Sequence, residues 1–405
     1  MPKFTEKVVV SAMKLGMKIA GADVSQEEAL EALGDVTITD GMPEVLREAA
    51  SETAVLLENN GVLPFNKGER ISVFGRVQND WFYTGYGSGG DVKKPYGVNL
   101  IEGLKNCEDL CLNTELSDLY EKWCKENPVD HGVWGHWPRC YPEMPLNADI
   151  VKKAKANSDK AVFVIGRSSG EDRENTLEKG SFYVTDEERT ALHRVCEQFD
   201  DITILLNIGS VMDMSWLREF GKKIGAVMIV WQGGMESGNA VADLLCGKVT
   251  PSGKLTDTIA IKYEDYPSSA HFGNLKYNEY VEDIYVGYRY FETFARDRVL
   301  YPFGYGLSYT KFEYSDISVS AENITDADEL TVKFKVKNIG DVDGAQVGCL
   351  TSNSQLAAVD IDLGAVGNFA KAGSCVQNNG SERITVTGHG VMTVQGGVVD
   401  IHGHI

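Results

Sequence analysis

The chain has 405 residues, with 39 Lys and Arg against 59 Asp and Glu, a formal net charge of −20 at pH 7 and an apolar fraction of 43%. That length predicts two or three domains of ordinary globular composition. The charge excludes a nucleic-acid binder, whose phosphates it would repel, and a protein that docks on anionic membranes.

No run is long and apolar enough to span a bilayer. The first residues, MPKFTEKVVVSAMKLGMKIAG, scatter lysines through what would have to be a clean apolar core, so no signal peptide is predicted. The eight cysteines are dispersed without a Cys-x-x-Cys. Cys107 and Cys111 are spaced for one helix face rather than a zinc knuckle. Reduced thiols in a cytoplasmic protein are the expectation.

Residues 1–40 read as a helical lead-in. From Met42, the spacing of Val45, Leu46, Ala49, Ala50, Ala54, Val55 and Leu56 predicts one helix, closed by Asn60-Gly61. Short apolar runs then predict strands at 71–74, 161–165, 202–207 and 226–231. Thr185 and Glu188 have capping-box spacing and open a helix through Leu192, Val195, Cys196 and Phe199. A further helical turn is expected at 216–220. Strands alternating with helices predict an α/β fold, a mostly parallel sheet sandwiched by helices.

Residues 109–148, rich in Trp, His, Pro and Tyr, read as an elaborated loop over the carboxyl edge of that sheet. From Phe312 the pattern turns to alternation (FEYSDISVS, then ELTVKFKVKN), which predicts the start of an antiparallel β-sandwich. After Val347 charges are few, proline is absent and glycine is frequent, and no continuation of the sandwich is predicted. The expected boundaries are 1–40, 41–310, 311–347 and an atypical tail at 348–405. Two sandwich strands without a partner sheet would leave an edge bare.

The most informative stretch is Val230-Trp-Gln-Gly-Gly-Met-Glu-Ser-Gly-Asn-Ala-Val-Ala-Asp-Leu-Leu-Cys-Gly-Lys-Val-Thr-Pro-Ser-Gly-Lys-Leu255. A strand runs into two glycines, then Glu236, then a helix with apolar Val241, Leu244 and Leu245. This places one carboxylate at the edge of an open α/β sheet where ligands collect. A glutamate in the first turn of a helix also commonly does no more than offset the helix dipole.

Three other patterns carry less. Ser168, in Gly166-Arg-Ser-Ser-Gly170, has nucleophile-elbow spacing, but a polar loop follows where a helix is required and His271 has no evident acidic orienter. Gly85-Tyr-Gly-Ser-Gly-Gly90 has the spacing of a dinucleotide fingerprint but does not pass from strand to helix, and reads as a glycine-rich loop near a ligand edge. His131, His136 and Cys140 are crowded by Trp134, Trp137 and Pro138, which suits aromatic packing or a sugar-sized cleft better than a metal. Glu171, Asp172 and Arg173 follow the strand at 161–165 and face the same edge as Glu236.

From about Glu44 to Gly344 the chain resembles glycoside hydrolase family 3. The motifs run in order: Ala54-Val-Leu-Leu-Glu-Asn-Asn-Gly-Val-Leu-Pro64, Ser169-Gly-Glu-Asp-Arg173, Leu206-Asn-Ile-Gly209, the Glu236 loop, Pro251-Ser-Gly-Lys-Leu255, Glu282-Asp-Ile-Tyr-Val-Gly-Tyr-Arg-Tyr290 and Phe303-Gly-Tyr-Gly-Leu-Ser-Tyr309. The resemblance implies the C-terminal-type (α/β)₆ sandwich followed by the start of a fibronectin-III-like domain, in the inverted order where the (β/α)₈ barrel comes last. It implies Glu236 as general acid/base of an exo-acting retaining β-glucosidase. Glu171, Asp172, Arg173, Trp231 and Gln232 are then the candidate substrate-binding residues.

In the family the nucleophile is an aspartate on the barrel, which has no counterpart here. The expectation is a reading frame interrupted near Val347, and a Glu236 left open to water. Retaining hydrolysis calls for neither metal nor organic cofactor. The implied partners are small β-linked gluco-oligosaccharides or aryl glucosides. The alternatives are a catalytically incomplete carbohydrate-binding or assembly module, and an enzyme completed in trans by a separate barrel chain.

Overall fold

The computed structural model describes residues 3–19, 38–87, 94–132, 136–171, 175–274, 276–319 and 331–355, then 358–362, 370–377, 385–386, 391–393 and 396–400. After a lead helix α1 (Lys3–Ile19) come α2 (Met42–Thr53), β1 (Val55–Asn59), β2 (Glu69–Phe74), α3 (Leu100–Lys105), β3 (Leu110–Leu112), α4 (Thr114–Glu126) and α5 (Ala148–Asn157). The chain continues through β4 (Lys160–Arg167), α6 (Asp186–Cys196), β5 (Ile202–Ile208), α7 (Leu217–Phe220), β6 (Ile224–Ile229) and α8 (Ser237–Leu245). These strands form one sheet in the order β1-β6-β5-β4-β2-β3, parallel throughout except for β1. The α/β fold read from the sequence is the fold observed.

The period-2 geometry of a strand divides the apolar residues between two cores. In β4, Ala161, Phe163 and Ile165 enter one core with α4, α5, α6 and α7, supplying Tyr120, Val151, Leu192 and Phe220 among others. Val162 and Val164 enter the other, against Leu100 and Leu104 of α3 and Val241, Leu244 and Leu245 of α8. A strand covered on both faces is apolar at nearly every position, which is why β4, β5 and β6 stood out as near-continuous apolar runs.

Two glycines set how close α3 and α8 approach. A Cβ at Gly103 would lie 2.1 Å from the Gly238 carbonyl oxygen, and one at Gly238 2.0 Å from that of Asn99. α3 therefore lies directly against the first turn of α8. The start of α3 is fixed by a capping box in which the Asn99 side chain takes the Glu102 N–H and Glu102 accepts the Asn99 N–H in return.

Three sequence expectations are corrected. The helix from Met42 ends at Thr53, and Val55, Leu56 and Leu57 belong to β1, antiparallel to β6. All three are buried, a consecutive burial suited to an edge strand wedged between two cores and unsuited to one helix face. Second, the stretch at 109–148 is not all loop: it holds β3 and the amphipathic α4, whose Leu116 and Tyr120 are buried and whose Asn113 caps the Leu116 N–H. Third, Cys111 lies on β3 while Cys107 follows α3, so they share no helix face.

Beyond α8, β7 (Ile259–Ala260), α9 (Tyr288–Phe294) and β8 (Val299–Tyr301) lead to Leu307, whose N–H donates to the carbonyl of Leu56 on β1 at 2.7 Å. Further strands follow: β9 (Phe312–Val319), β10 (Thr331–Asn338), β11 (Gly344–Gln355), β12 (Ala358–Asp362), β13 (Ala370–Gln377), β14 (Thr385–Val386), β15 (Val391–Thr393) and β16 (Gly396–Asp400). β10 is paired by β9 on one side and β12 on the other, so its edge is not bare as expected. β11 crosses Val347 without interruption and pairs with β13 and β16. Among the described residues no helix is long and apolar enough to cross a membrane.

Candidate active site at the carboxyl edge

β6 ends at Ile229, and the backbone turns at Trp231, which has a left-handed φ of 51°. Such a φ is strained for a bulky residue and persists only where neighbours enforce it. Here Asn207, at the carboxyl end of β5, enforces it. Its buried amide donates to the Trp231 carbonyl at 2.6 Å and to that of Phe82 at 2.9 Å, while its oxygen accepts from the Phe82 N–H at 2.8 Å. The Trp231 indole donates to the Thr53 carbonyl at the end of α2.

The turn then passes through Gly233 and Gly234, and Glu236 stands at the N-cap position of α8 with its side chain making no capping bond. Three backbone bonds tie this turn to flanking loops: Gly234 N–H to the Tyr83 carbonyl, Val98 N–H to the Met235 carbonyl and Gly238 N–H to the Val98 carbonyl. Ser237 accepts the Trp81 indole N–H at 2.9 Å.

Glu236 is 7% exposed, which corrects the expectation that it lies open to water. The loop preceding α3 covers it. The Tyr96 hydroxyl donates to Oε1 at 2.6 Å, and Asn239 Nδ2, one helical turn on, donates to Oε2 at 2.7 Å. Asn106, just past α3, donates in turn to Asn239 Oδ1 at 3.0 Å. Burial first, and the bond to Glu236 second, push the Tyr96 phenol up to about 12. Lys94 sits 4.4 Å over the Tyr83 ring, and burial lowers its ammonium.

On the other side of the turn, Gln232 is held by its own amide. Nε2 donates to the Arg167 carbonyl at 3.1 Å and Oε1 accepts from the Ser169 hydroxyl at 3.0 Å. The loop after β4 is therefore tied to the Glu236 turn. Arg167 anchors it from beneath: it is buried, meets both oxygens of Glu188 at 2.7 Å and donates to the carbonyls of Ser181 and Tyr183. Glu188, the expected capping-box residue, thus serves helix α6 and this loop together.

The glycine-rich loop lies along the same edge. Tyr86 N–H donates to the Ser169 carbonyl and Glu171 N–H to the Tyr86 carbonyl, so Gly85, Tyr86 and Gly87 run beside Ser169–Glu171. Trp137 stacks on Tyr86 with ring centroids 5.2 Å apart, and Tyr141 stacks on Phe82 at 4.7 Å. This aromatic loop is pinned by buried Glu143, which accepts from the N–H groups of Arg76 at 2.9 Å and Met144 at 2.8 Å. Burial pushes the Glu143 carboxyl up to about 8, and the Arg76 guanidinium is directed to Asp80, Pro142 and Asn127.

Of the candidate residues, Glu236, Trp231 and Gln232 share one turn and Glu171 stands exposed across the edge. Asp172 and Arg173 lie outside the described residues, as do Trp134 and Ser88 to Gly90. Ser168 is buried and its hydroxyl donates to the Pro138 carbonyl at 2.6 Å, a structural role. His271 does have an acidic partner, contrary to expectation: its Nδ1 meets Glu279. The two line an open cavity of ≈ 380 Å³ that shares no residue with the Glu236 turn. Among the described residues no three His, Cys, Asp or Glu side chains converge as a metal site would require.

Sequence reading did not single out Tyr96, Asn239 or Asn207. Asn239 left its i,i+3 spacing from Glu236, which puts both on one helix face, and Asn207 its place in the Leu206–Gly209 motif.

Residues 54–309 match the model of the glycosyl hydrolase family 3 C-terminal domain, and the chain belongs to glycosyl hydrolase family 3. A beta-glucosidase of Ruminococcus albus is 46% identical over 301 residues, covering 74% of this chain and 31% of that protein. Beta-glucosidase A of Butyrivibrio fibrisolvens is 36% identical over 388 residues, covering 87% and 46%. A crystal structure of a beta-glucosidase from Paenibacillus barengoltzii superposes with a TM-score of 0.73 at 48% identity, over 76% of this chain and 34% of that one. The chain thus spans less than half the length of each of these relatives.

Proposed function

We propose that Glu236 is the general acid/base of an exo-acting retaining β-glucosidase site, acting on aryl β-glucosides and small β-linked gluco-oligosaccharides. The observation that carries this reading is the two-sided grip on its carboxylate at the sheet edge. Asn239 Nδ2 is a donor only, so while it holds Oε2 the acid proton must sit on Oε1. Oε1 is then the atom that protonates the leaving oxygen. The Tyr96 hydroxyl occupies that atom's open side and can switch from donating to accepting as the proton arrives. Substrate must displace it for transfer to occur.

Retention requires a second carboxyl group about 5–5.5 Å from the first, to attack the anomeric carbon. In the family this group is a barrel aspartate, and we place it on a (β/α)₈ barrel beyond this chain's own residues. The strands from Phe312 onward are, in the same reading, of the fibronectin-III-like domain. Glu171, Asp172 and Arg173 border the sugar, while Trp231 and Gln232 shape the turn beneath it.

The test is release of nitrophenol from an aryl β-glucoside by the chain mixed with a family-3 barrel protein. Activity that requires both proteins and is lost in Glu236→Gln supports the reading. Activity that survives Glu236→Gln overturns it. Glucose binding without turnover under any complementation would favour a carbohydrate-binding module instead.

A further inference from the structure

We propose that the cavity beside His271 is a second carbohydrate-binding site, for a neutral β-linked gluco-oligosaccharide and separate from the Glu236 turn. Contact between His271 Nδ1 and Glu279 brings the two sides of the cavity together, and the chain turns at Gly273 with a left-handed φ of 83°. His271, Phe272, Asn274, Tyr277 and Glu279 line a space of ≈ 380 Å³ there. That volume lies within the range of small-ligand sites, about 300–1,000 Å³.

Two rings stand bare at this cavity. Phe272 is 65% and Tyr277 59% exposed, and neither ring meets another aromatic among the described residues. In a β-linked glucan every ring substituent is equatorial, so the C–H groups form flat apolar faces and the hydroxyls a polar rim. Such a face packs on an aromatic ring, while the rim asks for donors and acceptors side by side.

The cavity offers both. Lys276 N–H donates to Asn274 Oδ1 at 3.0 Å, which fixes the amide and leaves its Nδ2 hydrogens as donors. His271 Nδ1 meets Glu279 Oε2, which leaves Glu279 Oε1 as an acceptor and His271 Nε2 as a further polar atom. Because Glu279 already has its partner, a cation gains little here, and a net charge of −20 disfavours an anion. A neutral, hydroxyl-rich ligand is what remains. The cavity shares no residue with the Glu236 turn, so the proposal goes beyond the assignment of Glu236 and does not rest on it.

The test titrates the full chain with cellotetraose by isothermal calorimetry, with maltotetraose, whose linkage is axial, as the control. Each lining side chain to be changed is exposed, so the variants should keep the wild-type circular dichroism spectrum. Cellotetraose should bind the wild type and Glu236→Gln alike, and maltotetraose more weakly. Phe272→Ala and Tyr277→Ala should each weaken cellotetraose about tenfold, and Glu279→Gln by a similar factor. No binding up to about 10 mM, equal binding of maltotetraose, or affinity unchanged in these three variants would overturn the proposal. So would sedimentation in which the wild type self-associates and the Phe272→Ala, Tyr277→Ala double variant does not, with no sugar bound, since the rings would then be a protein contact. Binding lost in Glu236→Gln alone would place the sugar at the Glu236 turn and likewise overturn it. None of these outcomes depends on turnover, so failure of the Glu236 assignment is read separately, from the activity of Glu236→Gln.

Discussion

Asn239 Nδ2 lies 2.7 Å from Glu236 Oε2, one helical turn away on α8 and buried with it. The carboxylate is thus gripped by its own helix on one oxygen and by Tyr96 on the other. Asn239→Ala leaves a buried oxygen without a donor, an omission that costs about 1–3 kcal/mol. Urea unfolding should register that loss. In a Glu236→Leu background the same substitution should cost clearly less, because no carboxylate remains to be orphaned.

Tyr96 reports on Glu236 from the opposite side. Its phenol is pushed up to about 12, by burial and then by donating to the carboxylate. In Glu236→Gln the charge is gone and Tyr96 should ionise at lower pH than in the wild type. Carbon-13 NMR of labelled tyrosine, with Tyr96→Phe to assign the resonance, measures the difference. An unchanged titration would mean that the hydrogen bond is not made in solution.

Glu143 gives the pH dependence a sign. Its carboxyl is pushed up to about 8 by burial, above its value in an unfolded chain. Below the ordinary carboxyl range both states hold the proton. As the pH rises from there to about 8, the unfolded chain releases it and the folded chain keeps it, so stability falls across that window. Glu143→Gln keeps a neutral group in place but turns a donor-only nitrogen toward one of the two backbone N–H groups that the carboxyl accepts, so at pH 5 it should cost about 1–3 kcal/mol. Between pH 5 and pH 8.5 that cost should shrink or reverse, since holding the proton through each further pH unit costs the folded wild type about 1.4 kcal/mol and the amide nothing. Paired urea titrations at the two pH values decide it.

Gly103→Ala should be among the most damaging small substitutions. The added methyl would meet the Gly238 carbonyl oxygen at 2.1 Å, a backbone atom with no flexible side chain to yield. A loss of about 3 kcal/mol is expected, the upper end of overpacking costs. Thermal unfolding measures the loss, and displacement of α3 should also free the Tyr96 resonance from its shifted position.

Much of this was legible in the amino-acid order, and the failures have physical causes. β4, β5 and β6 were visible because strands buried on both faces are apolar at nearly every position. β1 was not, because Ala54, Val55 and Leu56 also continue the helical spacing begun at Val45; only pairing with β6 decides between the two. α4 was hidden by composition, its charged face outweighing Leu116 and Tyr120. Glu236 could be found from the strand, the two glycines and the helix that follow one another. Its burial could not, because Tyr96 is 140 positions away in sequence and reaches it only through the packing of α3 on α8.

The bond between Leu307 and Leu56 joins the two ends of the matched region, which runs from 54 to 309. The first strand and the last motif lie side by side on the sheet edge, so the fold enters and leaves at one place. Such a unit can be spliced into a longer chain ahead of another domain or behind it without redrawing its sheet. Its modularity is written in one edge hydrogen bond, and an architecture built this way permits domain order to be shuffled while the carboxyl edge of the sheet stays intact.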